Sequence, residues 1–278
     1  MTFGAVTISR NDGYGGILSE YRALLCLQNC IDRYNEVVYV DYNSPNDMSL
    51  MECIKGALKF KGNLKHIKVT TDDIRALNES LLSVPFIMVL ARNIGIRRAT
   101  SDFILSCNID GISARPPEGL DTNTLYTAPK KNIALSSYLY REDDPTKFGD
   151  ELISGKIPYV DMSADTVDAL GNPISYDPED NYSLVFACGD FQLAHKNVWY
   201  KIRGFEESLL YRDYDDYNLM RKGQIYCNIK KIDHPVYHLN HDRDPNAIRN
   251  KNYGRSFQKT ANGDDWGFAT YPFKVEIL

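Results

Sequence analysis

Tryptophan is scarce in this chain, with 2 residues in 278, and the 6 cysteines are scattered without a single Cys-x-x-Cys pair. That spacing excludes a zinc-ribbon or thioredoxin-like centre. Cys26 and Cys30, four apart on an expected helix, read as buried apolar thiols rather than as ligands. Free thiols throughout point to a reducing, cytoplasmic setting. No stretch approaches the roughly 18 apolar residues that a membrane helix needs. Met1 to Ser9 lacks both the charged start and the long apolar core of a secretory signal. Runs of Lys and Arg are absent as well, and 37 acidic against 32 basic residues leave a net charge of −5, which speaks against a nucleic-acid partner. No G-x-G-x-x-G follows the first apolar run. Asp12-Gly13-Tyr14-Gly15-Gly16 has the wrong spacing for a dinucleotide fingerprint.

What remains is ordinary globular material, 43% hydrophobic, with enough for a core. Tyrosine is abundant, 19 residues, and aromatic faces stack on the C–H faces of sugars, although half-buried tyrosines are common everywhere. The first part of the chain alternates strand and helix. Strands are expected at Phe3–Ser9, Glu36–Asp41, Leu64–Thr70 and Phe103–Cys107. Helices are expected over about Ile17–Arg33, Met48–Phe60 and Val89–Ala99, from apolar residues at helical spacing. Such alternation builds right-handed crossovers and a mostly parallel central sheet flanked by helices, an α/β fold. Beyond Gly111 a strand is expected over Asn132–Tyr140, an acidic irregular stretch over Arg141–Asn181, a strand at Ser183–Cys188 and a helix at Asn197–Ile202. The expected organisation is one domain over residues 1–278, with a Rossmann-like nucleotide-binding half (about 1–112) and an irregular acceptor half (about 113–278).

In parallel sheets ligands bind beyond the carboxyl ends of the strands. The polar residues that directly follow each strand are therefore the informative ones: Ser9, Arg10, Asn11 and Asp12, then Asp41, then Asn108 and Asp110. The third group closes the segment Ala91-Arg92-Asn93-Ile94-Gly95, Ser101-Asp102-Phe103-Ile104-Leu105-Ser106-Cys107-Asn108-Ile109-Asp110. This segment resembles the A-type glycosyltransferases of the family-2-like group, in which an Ala-Arg-Asn-x-Gly helix precedes a strand closing in Asp-x-Asp. Thr7-Ile8-Ser9-Arg10-Asn11-Asp12 and Val38-Tyr39-Val40-Asp41-Tyr42-Asn43-Ser44 resemble that group's nucleotide-binding edges. Ala187-Cys188-Gly189-Asp190-Phe191-Gln192, with Trp199 and Gly204-Phe205-Glu206-Glu207, resembles its acceptor-side block.

The resemblance implies transfer of a sugar from a nucleotide diphosphate, UDP foremost, to a hydroxyl on a glycan or glycoprotein. A departing diphosphate carries two or more negative charges and calls for a divalent cation, Mn2+ or Mg2+, held by hard oxygen ligands. By resemblance Asp110 ligates the metal, and Asn108, which stands where the first Asp of Asp-x-Asp falls, contacts the ribose or a metal-bound water. Ser9, Arg10 and Asp12 line the donor. Asp41 accepts from the base, and Arg92 lies near the diphosphate or base. Gly189 and Asp190 face the acceptor. Asp216, with Asp215 next, matches the acidic pair that supplies the base, while Asp213 caps the helix. His238-Leu239-Asn240-His241 resembles the late histidine of several such enzymes, with His241 the expected metal ligand and His238 its support or a core residue. Trp266, in Asn262–Gly267, is expected to stack on a sugar. An Asp beside the acceptor hydroxyl fits inversion, with retention left open. Two other classes stay in play: a non-catalytic binder of nucleotide sugars or glycans, and a sugar nucleotidyltransferase, whose Gly-rich basic loop Arg10-Asn11-Asp12-Gly13 does not supply.

Overall fold

The computed structural model of the protein describes residues 1–13, 16–45, 48–134, 137–138, 144–159, 189–211, 215–241 and 262–278. Four parallel strands, β1 (Phe3–Ser9), β2 (Glu36–Tyr42), β3 (Leu64–Val69) and β4 (Phe103–Asn108), lie side by side in the order β3-β2-β1-β4. Their side chains are almost entirely buried, as expected of a sheet covered on both faces. Alternation assigns the faces. Val6, Ile8, Val38 and Val40 join the core under helix α4 (Met88–Arg98). Phe3, Ala5, Val37 and Tyr39 join the core under helix α1 (Ser19–Arg33).

The later chain extends the same sheet. Strands β6 (Thr124–Thr127), β8 (Gln192–His195), β9 (Asn228–Lys231) and β11 (Lys274–Ile277) complete the order β11-β3-β2-β1-β4-β8-β6-β9. Of these, β8 runs antiparallel to β4, with Phe103 opposite His195 and Ser106 opposite Gln192. A second sheet is formed by β5 (Gly111–Ser113), β10 (Val236–Leu239) and β7 (Lys130–Ile133), with β10 central. The chain passes from one sheet to the other between Asn108 and Gly111, so that Asp110 stands at the changeover.

Several elements differ from the sequence reading. The helix expected over Met48–Phe60 is only α2 (Leu50–Ile54) with a 3-10 turn at Lys55–Ala57, after which Leu58 is extended and packs into the core under α1. A short helix, α3 (Thr71–Asn78), closed by a capping box between Thr70 and Asp73, fills the connection after β3. Of the strand expected over Asn132–Tyr140, Asn132 and Ile133 belong to β7, Ala134 lies outside any strand, and residues 135–136 and 139–140 lie outside the described residues. Within the stretch read as irregular, α5 (Pro145–Ile153) starts with Asp144 as N-cap and proline in its first turn, the ordinary signals of a helix start. The rest of that stretch beyond Tyr159 and the strand expected at Ser183–Cys188 lie outside the described residues. The last two helices are α6 (Lys196–Ile202) and α7 (Asp215–Tyr226).

Helix α4 lies directly on the sheet because Gly95 lets it. A Cβ there would sit 2.4 Å from Val6 Cγ1 and 3.2 Å from Val40 Cγ2. Replacing a helical glycine by alanine ordinarily gains up to about 1 kcal/mol of propensity, but overpacking a fixed core costs about 1–3 kcal/mol. Gly95→Ala is therefore expected to be net destabilising, measured as a lower urea midpoint with an unchanged m-value.

Candidate active site

At the carboxyl edge of the sheet the register sets the first row of polar groups. Ser9 lies opposite Asp41, and Ile8 opposite Asn108. The two loops after β1 and β2 are tied together. Arg10 Nε donates to the Asn43 carbonyl at 2.8 Å, the Arg10 guanidinium pairs with Asp12 at 2.8 Å, and the Asn11 amide donates to Ser44 Oγ at 2.9 Å. Ser44 Oγ in turn donates to the buried carboxylate of Asp41, and Ser9 Oγ bonds the Tyr39 hydroxyl. Ser9, Arg10, Asp12 and Asp41 thus share one corner of the edge. Burial, with Asp41 nearby, pushes the Tyr39 hydroxyl well above the usual phenol range, so it stays protonated.

Next to that corner, Asp110 meets the two histidines of β10 and its exit. Its Oδ2 is 3.0 Å from His241 Nε2 and 3.5 Å from His238 Nε2. The ligand atoms of all three residues lie within 4.8 Å of one another, a group able to hold a metal ion. Burial by itself would raise the Asp110 pKa, but His238 and His241 outweigh it and hold the carboxyl well below its usual range. His238 shifts the opposite way: desolvation opposes its charge, and the carboxylates of Asp110 and Asp190 more than compensate. Buried Asp110 Oδ1 and His238 Nδ1 have no hydrogen-bond partner among the described residues. The sequence reading gave His238 a supporting or core role. Its place on β10, three residues before His241, sets it against the same carboxylate oxygen.

Arg92 is 1% exposed, so it is no solvated helix residue, and its guanidinium does not reach outward. One of its terminal nitrogens bonds Asn108 Oδ1 at 2.5 Å, and the other contacts Ser106 Oγ at 3.2 Å, the Gly189 carbonyl at 3.2 Å and Gln192 Oε1 at 3.4 Å. Its flat face lies on the Phe205 ring, 5.0 Å from the centroid, a contact worth more in a desolvated site. Asn108 donates its amide to Asp190, whose other oxygen pairs with Lys130 Nζ at 2.7 Å. Burial raises the Asp190 pKa, but Lys130 and His238 outweigh it and keep the carboxyl below its usual range. Nothing in the local sequence marks Lys130. Only the pairing of β7 with β10 brings it here.

Asp215 and Asp216 open α7, and Asp216 leans against Gly189. A Cβ at position 189 would lie 2.9 Å from the Asp216 carboxylate, which is why glycine stands there. Burial and the neighbouring Asp215 push the Asp216 pKa up to about 6, with Arg92 acting against them. Asp213 lies outside the described residues.

Trp266 does not join this group. It is 2% exposed, packed between Arg97 and Tyr200, beside the last turn of α4 and the strand starts. The reason is local. Asn262 bonds the Arg203 and Phe205 carbonyls, and Gly267 sits on Asn93, so the segment is clamped to the turn at Gly204. A ring enclosed in this way offers no face to a sugar, and the expectation for Trp266 is corrected to a packing role. Asn93, unassigned by sequence, fixes the same turn through Phe205 and Glu207.

A mixed sheet with this strand order, carrying its polar groups at the carboxyl edge, is the A-type glycosyltransferase fold. Among solved structures the chain is similar to GalNAc-T7 crystallised with UDP, GalNAc and Mn2+, with a TM-score of 0.56, 14% identity, and coverage of 87% of this chain and 44% of that one. It is also similar to residues 1–349 of S. aureus TarS, at 15% identity over 86% of this chain and 60% of that one, where the TM-score of 0.45 adds no weight. The chain thus spans about half the length of these structures. No family model and no curated protein matches its sequence. Among the described residues no helix is long and apolar enough to cross a membrane.

The raised Asp216 pKa has a consequence for stability. A carboxyl with a folded-state pKa near 6 and an ordinary unfolded value of about 4 binds its proton more tightly when folded. Its ionisation therefore lowers stability as pH rises between those values. Asp216→Asn is expected to melt above the parent protein at pH 7, with the gain disappearing by about pH 4, read from Tm against pH.

Proposed function

We propose that the chain is a metal-assisted glycosyltransferase that moves a sugar from a nucleotide diphosphate, UDP in particular, to a hydroxyl of a glycan or glycoprotein. The observation that carries the reading is the meeting of Asp110, His238 and His241 at the carboxyl edge, beside the corner formed by Ser9, Arg10, Asp12 and Asp41. The fold shared with GalNAc-T7, a structure holding UDP and Mn2+, supports it.

The donor set fits a divalent cation: two imidazoles and the Asp110 carboxylate, whose buried Oδ1 has no hydrogen-bond partner among the described residues. Imidazole nitrogens suit Mn2+ better than Mg2+, which prefers an all-oxygen octahedron. When bound, the cation neutralises the charge that develops on the diphosphate as it leaves. Asp41, at the end of β2, is the acceptor for a base N–H. Arg92 acts from inside, holding Asn108 and the Gly189 turn in place.

Asp216 is assigned as the base. With a pKa near 6 it is ionised at neutral pH and more basic than an ordinary aspartate, which suits removal of a hydroxyl proton. The acceptor oxygen then bonds the anomeric carbon while the bond to the diphosphate oxygen breaks and the acceptor proton passes to Asp216. One displacement of this kind inverts the anomeric configuration.

A thermal-shift series with UDP, GDP and CDP, each with and without Mn2+, tests the donor. Stabilisation by UDP that requires Mn2+ and exceeds that with Mg2+ is expected. Absence of any nucleotide shift with metal present overturns the reading. His241→Ala should abolish the Mn2+-dependent part of the shift. Asp216→Asn should lower transfer about 10^2- to 10^4-fold with nucleotide binding kept, and unchanged transfer would remove Asp216 from its role.

A further inference from the structure

The antiparallel ladder of β4 and β8 ends at Ser106 and Gln192, and its register points on toward Asn108 and Asp190. Phe103 faces His195 and Ser106 faces Gln192, which brings Asn108 opposite Asp190. The two side chains meet, with the Asn108 amide donating to Asp190 Oδ1. Asp190 is 2% exposed, and its second oxygen holds Lys130 Nζ at 2.7 Å. On its other side Asn108 accepts from Arg92 at 2.5 Å. Four residues from α4, β4, the turn before β8 and β7 thus form one continuous chain, Arg92–Asn108–Asp190–Lys130. It ends within the small sheet that carries His238.

We propose that Asp190 is a positioning residue that carries, from across the ladder, negative charge for the carboxyl end of β4, and that position 108 must stay neutral because of it. Asn108 supplies both a donor for Asp190 and an acceptor for Arg92, which no carboxylate can do. A second carboxylate at 108 would lie directly opposite the first, and like charges at facing positions repel. Arg92 would offset part of the repulsion, because the nitrogen that bonds Asn108 would pair with a carboxylate there, but it would not replace the amide donor that Asp190 loses. Held in this way, Asn108 fixes the strand end two residues before Asp110, and Lys130 ties β7 to the turn before β8. The link to metal binding rests on the glycosyltransferase reading above, whereas the pairing itself does not.

The experiment compares the parent protein with Asn108→Asp, Asp190→Asn and the double exchange. Tm is read by calorimetry, and Mn2+ affinity by titration followed by electron paramagnetic resonance. Each single change is expected to lower Tm by several degrees and to weaken Mn2+ about 10-fold, the ordinary cost of disturbing a group behind a metal ligand. The double exchange restores one amide facing one carboxylate and is expected to recover more than half of both losses, a coupling that independent sites do not show. Losses that simply add in the double variant overturn the proposal, as does an Asn108→Asp protein equal to the parent in both readouts. If the parent binds no Mn2+, the glycosyltransferase reading falls, and the Tm coupling alone then decides the pairing.

Discussion

The site depends on one buried guanidinium. Taking an arginine out of water costs several kcal/mol, and Arg92 is matched by an amide oxygen, a hydroxyl, a backbone carbonyl, a second amide and an aromatic face. The five partners come from four segments: Asn108 and Ser106 from β4, Gly189 from the turn before β8, Gln192 from β8, and Phe205 from the turn after α6. A planar fork with five donors can bridge so many segments, where a lysine could not. Through Arg92 the helix before β4 sets the end of β4, and through Gly189 it sets the place of Asp216.

Around that centre the charges are balanced in pairs and not spread over the surface. Lys130 answers Asp190 and the two histidines answer Asp110, while Asp216 has Asp215 beside it, with Arg92 acting against the rise. The outcome is two kinds of carboxylate within one site. Asp110 and Asp190 are held ionised by their partners. Asp216 is held near the pH at which it can take a proton. Burial acts on all three in the same direction, so the neighbours decide the difference.

The parallel strands and the helix α4 were legible because their apolar runs and helical spacing are local properties. The polar residues after β1, β2 and β4 were legible for the same reason: they follow directly from where a strand stops. Pairings made by register between distant segments were not. Asp190 faces Asn108 only because β8 runs back along β4, and Lys130 reaches Asp190 only through the small sheet. His238 differs from a core histidine by which side of β10 it occupies, which sequence does not state. Trp266 misled because tryptophan is a good sugar platform in general, while its fate here was fixed by two glycines, Gly204 and Gly267, that let the C-terminal segment close onto α4. The helix α5 was hidden by the polar composition around it, although Asp144 and Pro145 had marked its start.

Asp110 and His241 are separated by 131 positions in the chain, and the strand that carries His238 lies between β5 and β7. During synthesis the residues of the corner at the ends of β1 and β2 are made well before His238 and His241. Contacts over such separations close late. The corner of Ser9, Arg10, Asp12 and Asp41 is therefore encoded early in the chain, whereas the group of Asp110, His238 and His241 is complete only once the small sheet has closed.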